Sequence, residues 1–89
     1  MIYWIRCGDQ GDYQAVDDLD AVIDSLNEWR VGEVTGWVEG RIGVGVETEQ
    51  CYGYDFISLF VGDEEANLVR PLNAWERDRV EAGLEAVYS

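Results

Sequence analysis

Eighty-nine residues are enough for one hydrophobic core and too few for two. With 47% hydrophobic residues, four Trp, five Tyr and two Phe, the chain has the apolar area to offset the entropy of ordering it, which excludes a disordered chain despite its charge. Nineteen carboxylates face six arginines, with no Lys and no His, for a formal charge of −13; that balance excludes the usual basic nucleic-acid surface and removes the commonest general base and the Schiff-base amine.

The chain opens on a predicted strand, Ile2 to Cys7, where Tyr3, Ile5 and Cys7 alternate with Ile2, Trp4 and Arg6 before the turn Gly8 to Asp12. A helix is predicted from Asp17 to Trp29, with Asp17 as N-cap and Leu19, Val22, Ile23, Leu26 and Trp29 recurring at helical spacing on a core-facing stripe. Two strands, Val31 to Glu39 and Ile42 to Glu49, follow, joined through Gly40-Arg41, a glycine-first pair suited to a type II′ hairpin. In the second, Ile42, Val44 and Val46 point one way and Gly43, Gly45 and Glu47 the other, so an aromatic such as Trp37 is expected over the bare glycines. Phe56 to Val61 is apolar on both faces except at Ser58 and reads as the central strand, covered on both sides. After the turn Gly62 to Ala66 come a short strand, Asn67 to Arg70, then Pro71-Leu72 and a final helix running towards Tyr88. That helix opens on the capping box Asn73/Glu76 and carries Val80, Leu84 and Val87 on one stripe. The order β-α-β-β-β-β-α predicts a single acidic α+β domain over residues 1–89, with a mainly antiparallel sheet of four to five strands and two helices packed against it.

Cys7 and Cys51 form no CxxC pair and have no His to complete a zinc site, so both are expected to be reduced packing residues. With no apolar run near the roughly 20 residues of a membrane span and no export-type start, a cytoplasmic location is expected. No Gly-x-Ser-x-Gly occurs and neither Cys can pair with an imidazole; a glycosidase-like carboxylate pair is formally available, but the chain has little room for a cleft as well. The alternation Asp63, Glu65, Asn67 hints at a calcium loop, which fails where Leu68 and Ala74 stand in place of Gly and Glu. No catalytic, metal or cofactor site is expected.

The first helix is the most informative segment. At about 100° per residue, Asp17, Asp20, Asp24 and Glu28 share a sector of about 80° opposite the apolar stripe. The helix dipole favours carboxylates in the first turn but not at Asp24, and it opposes Glu28, where like charges at successive turns also repel. A plain solvated face is one reading of this ridge, and binding of a basic protein is the other. Asp63, Glu64 and Glu65, with Asp9, Asp12, Glu47 and Glu49, extend the surface if the fold gathers them. Arg77, Asp78, Arg79, Glu81 and Glu85, together with Glu76, make the final helix a self-compensating solvent face. Trp75 lies off its apolar stripe and is expected to tuck under the preceding loop, an exposed binding anchor being the alternative. Two compositional readings of the acidity stand beside these: a GC-rich genome for the all-arginine cations and a high-salt host for the carboxylates.

On the acidic segment Asp17 to Glu28 and the turn Asp63 to Glu65, the chain resembles in type the small acidic inhibitors encoded by phages and mobile elements, including anti-CRISPR proteins and DNA mimics. The resemblance includes no diagnostic motif and transfers no site residue by residue. It implies an inhibitor that occupies the nucleic-acid channel of a defence or DNA-processing protein; from the charge of −13 without Lys, direct binding of neither DNA nor RNA is expected. The alternatives are an immunity protein neutralising a partner toxin, for which Val16 to Leu26 would serve equally, and a non-catalytic regulatory subunit of an acid-rich proteome.

Overall fold

The computed structural model of the chain describes residues 2–8, 11–29, 31–46, 56–64 and 67–88. The elements are β1 (Ile2–Cys7), β2 (Gln14–Val16), α1 (Leu19–Glu28), β3 (Val31–Val38), β4 (Arg41–Val46), β5 (Phe56–Glu64), β6 (Asn67–Pro71) and α2 (Ala74–Tyr88). The fold is α+β with one antiparallel sheet of six strands, ordered β2-β1-β5-β4-β3, and β6 also paired to β5. The element absent from the sequence reading is β2, whose three residues Gln-Ala-Val are too short to display alternation and pair with β1 through Tyr3↔Val16.

Strand β5 is central as expected. It holds β1 along one side, while β4 (Ile42↔Ile57) and β6 (Val61↔Arg70) share the other. Its inner row, Ile57, Leu59 and Val61, meets Tyr3 and Ile5 of β1 and Ile42 and Val44 of β4 in the core. Leu19, Val22, Ile23 and Leu26 of α1 and Val80 and Leu84 of α2 cover that same face. Coverage of both faces was expected; among the described residues no helix packs on the other one, where Phe56 and Phe60 are half-buried. Two register shifts in β3, between Val31 and Val34 and between Val34 and Gly36, keep Val31, Val34 and Trp37 on the helix side. Trp37 therefore donates from Nε1 to Glu81 at 2.8 Å instead of lying over Gly43.

The β3–β4 turn falls on Glu39-Gly40, one residue before the predicted pair, with Val38 opposite Arg41. The ring of Phe60 occupies the space where a Cβ on residue 40 would stand, so the glycine is needed at the second turn position for room. Glu39 takes the positive φ of 55° in its place, at a cost of about 1–2 kcal/mol for a residue with a Cβ.

Helix α1 begins two residues later than predicted. Leu19 is the first residue whose burial the core requires, so Asp18 is the N-cap, extended at φ −151°, and its carboxylate accepts from the Ala21 N–H at 2.8 Å. Asp17 stays outside the helix. Contacts of Asp20 with Arg79 and of Ile23 with the Gly83 backbone show that α1 and α2 run parallel, both N-termini at the same end of the sheet.

Glu76 is the principal departure from the predicted solvent face of α2. It is 3% exposed and completes the capping box, accepting from the Asn73 N–H at 2.9 Å while Asn73 Oδ1 accepts from the Glu76 N–H at 2.9 Å. The same carboxylate accepts from Tyr3 Oη at 2.7 Å and Arg70 Nη1 at 2.6 Å. Burial alone would raise this carboxyl; the bonds from Arg70, the Asn73 backbone and Tyr3 outweigh it and hold it below the usual carboxylate range. Burial, then the bond to Glu76, pushes the Tyr3 hydroxyl up to about 12.

Cys7 is disulfide-bonded, which corrects the reading of a reduced packing residue. The other cysteine of the chain, Cys51, lies outside the described residues, as do Asp9, Glu47 and Glu49.

Three measurements follow from this architecture. Asp18→Ala should cost about 1 kcal/mol in urea unfolding, while Asp17→Ala should stay within about 0.5 kcal/mol. Glu76→Gln should cost about 1.5–3 kcal/mol at neutral pH, the range for hydrogen bonds to a charged group. Because the folded-state pKa of Glu76 is depressed, its contribution is complete above the ordinary carboxylate range and lost as pH falls through the folded value. The gap between wild type and Glu76→Gln should therefore narrow in unfolding curves taken at about pH 3. Reductant should lower the melting temperature by about 10 °C or more, given about 2–4 kcal/mol for a disulfide in a domain of this size.

Candidate functional site

The strand register decides which acidic residues meet. Val16 and Val61 both sit opposite Tyr3, on either side of β1, and Ile2 pairs with Gly62. Asp17, leaving β2, and Asp63, continuing β5, thus emerge from the same end of the sheet, about 10 Å apart across two strand spacings. Asp18, Asp20 and Glu64 join them there, all exposed. Asp24 and Glu28 are also exposed on the outer side of α1, but Glu28 lies about 12 Å along the helix from Asp20, towards the opposite end. Asp12 is at that opposite end too, in the β1–β2 connection, and Glu65 lies outside the described residues.

The ridge on α1 is not free of cations. Arg79 of α2 pairs with Asp20 on the surface, a contact that no spacing in the chain announces because the two residues lie 59 apart. Such an exposed pair is worth about 0–1 kcal/mol, and among the described residues Asp24 and Glu28 have no ion-pair partner.

Trp75 is exposed, at 66% of its surface, and does not tuck under the preceding loop. The cause is Glu76: with Leu72, Glu76, Val80 and Leu84 buried at successive turns, the residue before Glu76 is rotated about 100° out of the core. With Asp17, Asp18, Asp20 and Arg79 it lines a cleft of about 450 Å³ floored by Tyr3 and Leu19. Carboxylates beside an open indole face suit a guanidinium or ammonium group, which gains from both. The sequence clue to this feature was the mismatch between Trp75 and the apolar stripe; the buried polar role of Glu76 was hidden behind its capping-box position.

Among the described residues no three Cys, Asp or Glu side chains are drawn together in a way that could hold a metal ion, and no helix is long and apolar enough to cross a membrane. No protein-family model, curated protein or solved structure matches this chain.

Proposed function

We propose that this chain is an acidic inhibitor that binds the basic, nucleic-acid-binding surface of a defence or DNA-processing protein, in the manner of a DNA mimic. The observation that carries the reading is the convergence of Asp17, Asp18 and Asp20 with Asp63 and Glu64 at one end of the sheet, beside the exposed Trp75. Scattered through the sequence, these carboxylates form two segments; in the fold they supply one anionic end with an aromatic anchor. Asp24 and Glu28 prolong it along α1. Duplex DNA carries one charge per about 1.7 Å of axis, and the helix alone offers one per about 5 Å, so the additional carboxylates Asp63 and Glu64 at the end of β5 are what bring the surface nearer to that density. The reading involves no catalysis and no cofactor.

The test is capture on the immobilised protein of binding partners from cells, followed by elution with duplex DNA and with salt. A nucleic-acid-binding protein released by both is the expected result, and the triple variant Asp20→Asn, Asp24→Asn, Glu28→Gln should weaken its binding by several kcal/mol, at about 1.5 kcal/mol or more per closely paired charge. Folding should change little, since the lost Asp20–Arg79 pair is exposed and the neutralised Asp24 and Glu28 relieve repulsion. Direct binding of duplex DNA in a low-salt gel shift, or unaltered partner affinity in the triple variant, would contradict the proposal.

A further inference from the structure

The sheet face without helices carries a different chemistry from the rest of the molecule. Among the described residues, its outward positions on the three middle strands include Ile2, Trp4 and Arg6 on β1, Phe56, Ser58 and Phe60 on β5, and Arg41 and Gly43 on β4, and none of these is a carboxylate. Register sets Arg6 opposite Ser58 and Ser58 opposite Arg41, so the two arginines stand in one row across three strands, their Cα atoms about 10 Å apart. Each guanidinium rests on a ring, Arg6 on Tyr13 at 4.2 Å and Arg41 on Phe56 at 4.9 Å. Among the described residues the ion pairs are Arg70–Glu76 and Arg79–Asp20, and neither Arg6 nor Arg41 has a carboxylate partner. In a chain of charge −13 that is an unexpected allocation of cations. Arg6 Nε and the neighbouring Trp4 Nε1 are, in addition, buried donors with no hydrogen-bond acceptor. Beside Arg41 lies a groove of about 460 Å³, floored by the paired Gly36 and Gly43 and walled by Val38 and Phe56. The space above Gly36 is open.

We infer that this face is a second docking surface, which takes an acidic segment of a partner protein: a carboxylate on the arginine row and an apolar side chain in the glycine-floored groove. Charge complementarity selects the occupant. Planar guanidinium forks held by ring stacking are preorganised for a carboxylate. A nucleic-acid strand is disfavoured because two arginines release few phosphate counterions. A second copy joined through the same face would bring the arginines of one protomer against those of the other. The surface is independent of the acidic end, so the two readings can fail separately.

The test uses amide chemical shifts of the intact protein titrated with three probes: the capped peptide acetyl-Glu-Phe-Glu-Leu-amide, its neutral counterpart acetyl-Gln-Phe-Gln-Leu-amide, and a decamer of thymidylate. The acidic peptide should shift the amides of Arg6, Arg41, Gly43 and Ser58, and bind about threefold to fivefold more tightly than the neutral one, as expected for one exposed ion pair. Arg41→Gln should abolish that difference. Gly36→Val should block both peptides with the melting temperature maintained, because the added side chain enters open space on a strand. The Asp20, Asp24, Glu28 triple variant should bind the acidic peptide at least as well as the wild type. Equal affinity for the two peptides, shifts confined to other residues, or a tighter response to the thymidylate decamer at this face would overturn the inference.

Discussion

The carboxylate of Glu76 is the contact on which the placement of the other parts depends. It joins β1 through Tyr3, β6 through Arg70 and the start of α2 through Asn73, three segments that share no other side-chain hydrogen bond among the described residues. An ionised group with 3% exposure is costly to desolvate, and it persists because every strong donor nearby is aimed at it. A neutral amide in its place would accept fewer charge-assisted bonds and carry donors that meet the donors of Arg70 and Tyr3. With Glu76 anchored, the rotation of α2 is set: Val80 and Leu84 enter the core, Trp75 turns outward, Arg79 reaches Asp20, and Glu81 comes within hydrogen-bond range of Trp37.

The fold then sorts the charges into regions. Both helices lie on one side of the sheet, and their outer surfaces and N-terminal end carry Asp17, Asp18, Asp20, Asp24 and Glu28. The opposite side carries rings and two arginines. Of the cations described, Arg70 and Arg79 pair with carboxylates, Arg77 lies over Trp37 on the helix side and donates to the Leu72 carbonyl, and Arg6 and Arg41 lie over aromatic rings on the open face. A strongly charged chain that spread its excess evenly would repel everything anionic; one that segregates it can present opposite characters on opposite sides.

What the sequence disclosed follows the range of the interaction responsible. The strand Ile2–Cys7, the stripe of α1, the centrality of β5 and the Asn73/Glu76 capping box all rest on periodicity or on residues three or four apart, and all are present. The antiparallel α+β class follows from their order. What depended on distant partners was not legible. Strand β2 exists because β1 offers it an edge, not because Gln14–Val16 has strand character. The turn moved to Glu39-Gly40 because Phe60, 20 residues away, needs the space at Gly40. Asp17 and Asp18 are equally good caps by residue type, and only the burial of Leu19 chooses between them. The acidic segments were visible individually, but their meeting at one end required the pairing of β1 with both β2 and β5.

That meeting also changes the electrostatic argument about the acidic residues. Taken along the sequence, Asp17 to Glu28 is one ridge with a growing penalty. In the fold, the parallel arrangement sets two helix N-termini at the end where Asp17, Asp18 and Asp20 collect, and Asp18 satisfies a helix N–H while Asp20 faces Arg79. Each of these carboxylates has a local source of stabilisation, from a helix terminus, a hydrogen bond or a cation. Among the described residues Asp24 and Glu28 have none: they lie beyond the first turn of α1, and Glu28 is beside the C-terminal carbonyls, where negative charge is unfavourable. A carboxylate that helps hold the fold explains itself. Asp24 and Glu28 therefore prolong the anionic surface at a local electrostatic cost, whereas the cluster at the helix start is stabilised by the same contacts that gather it.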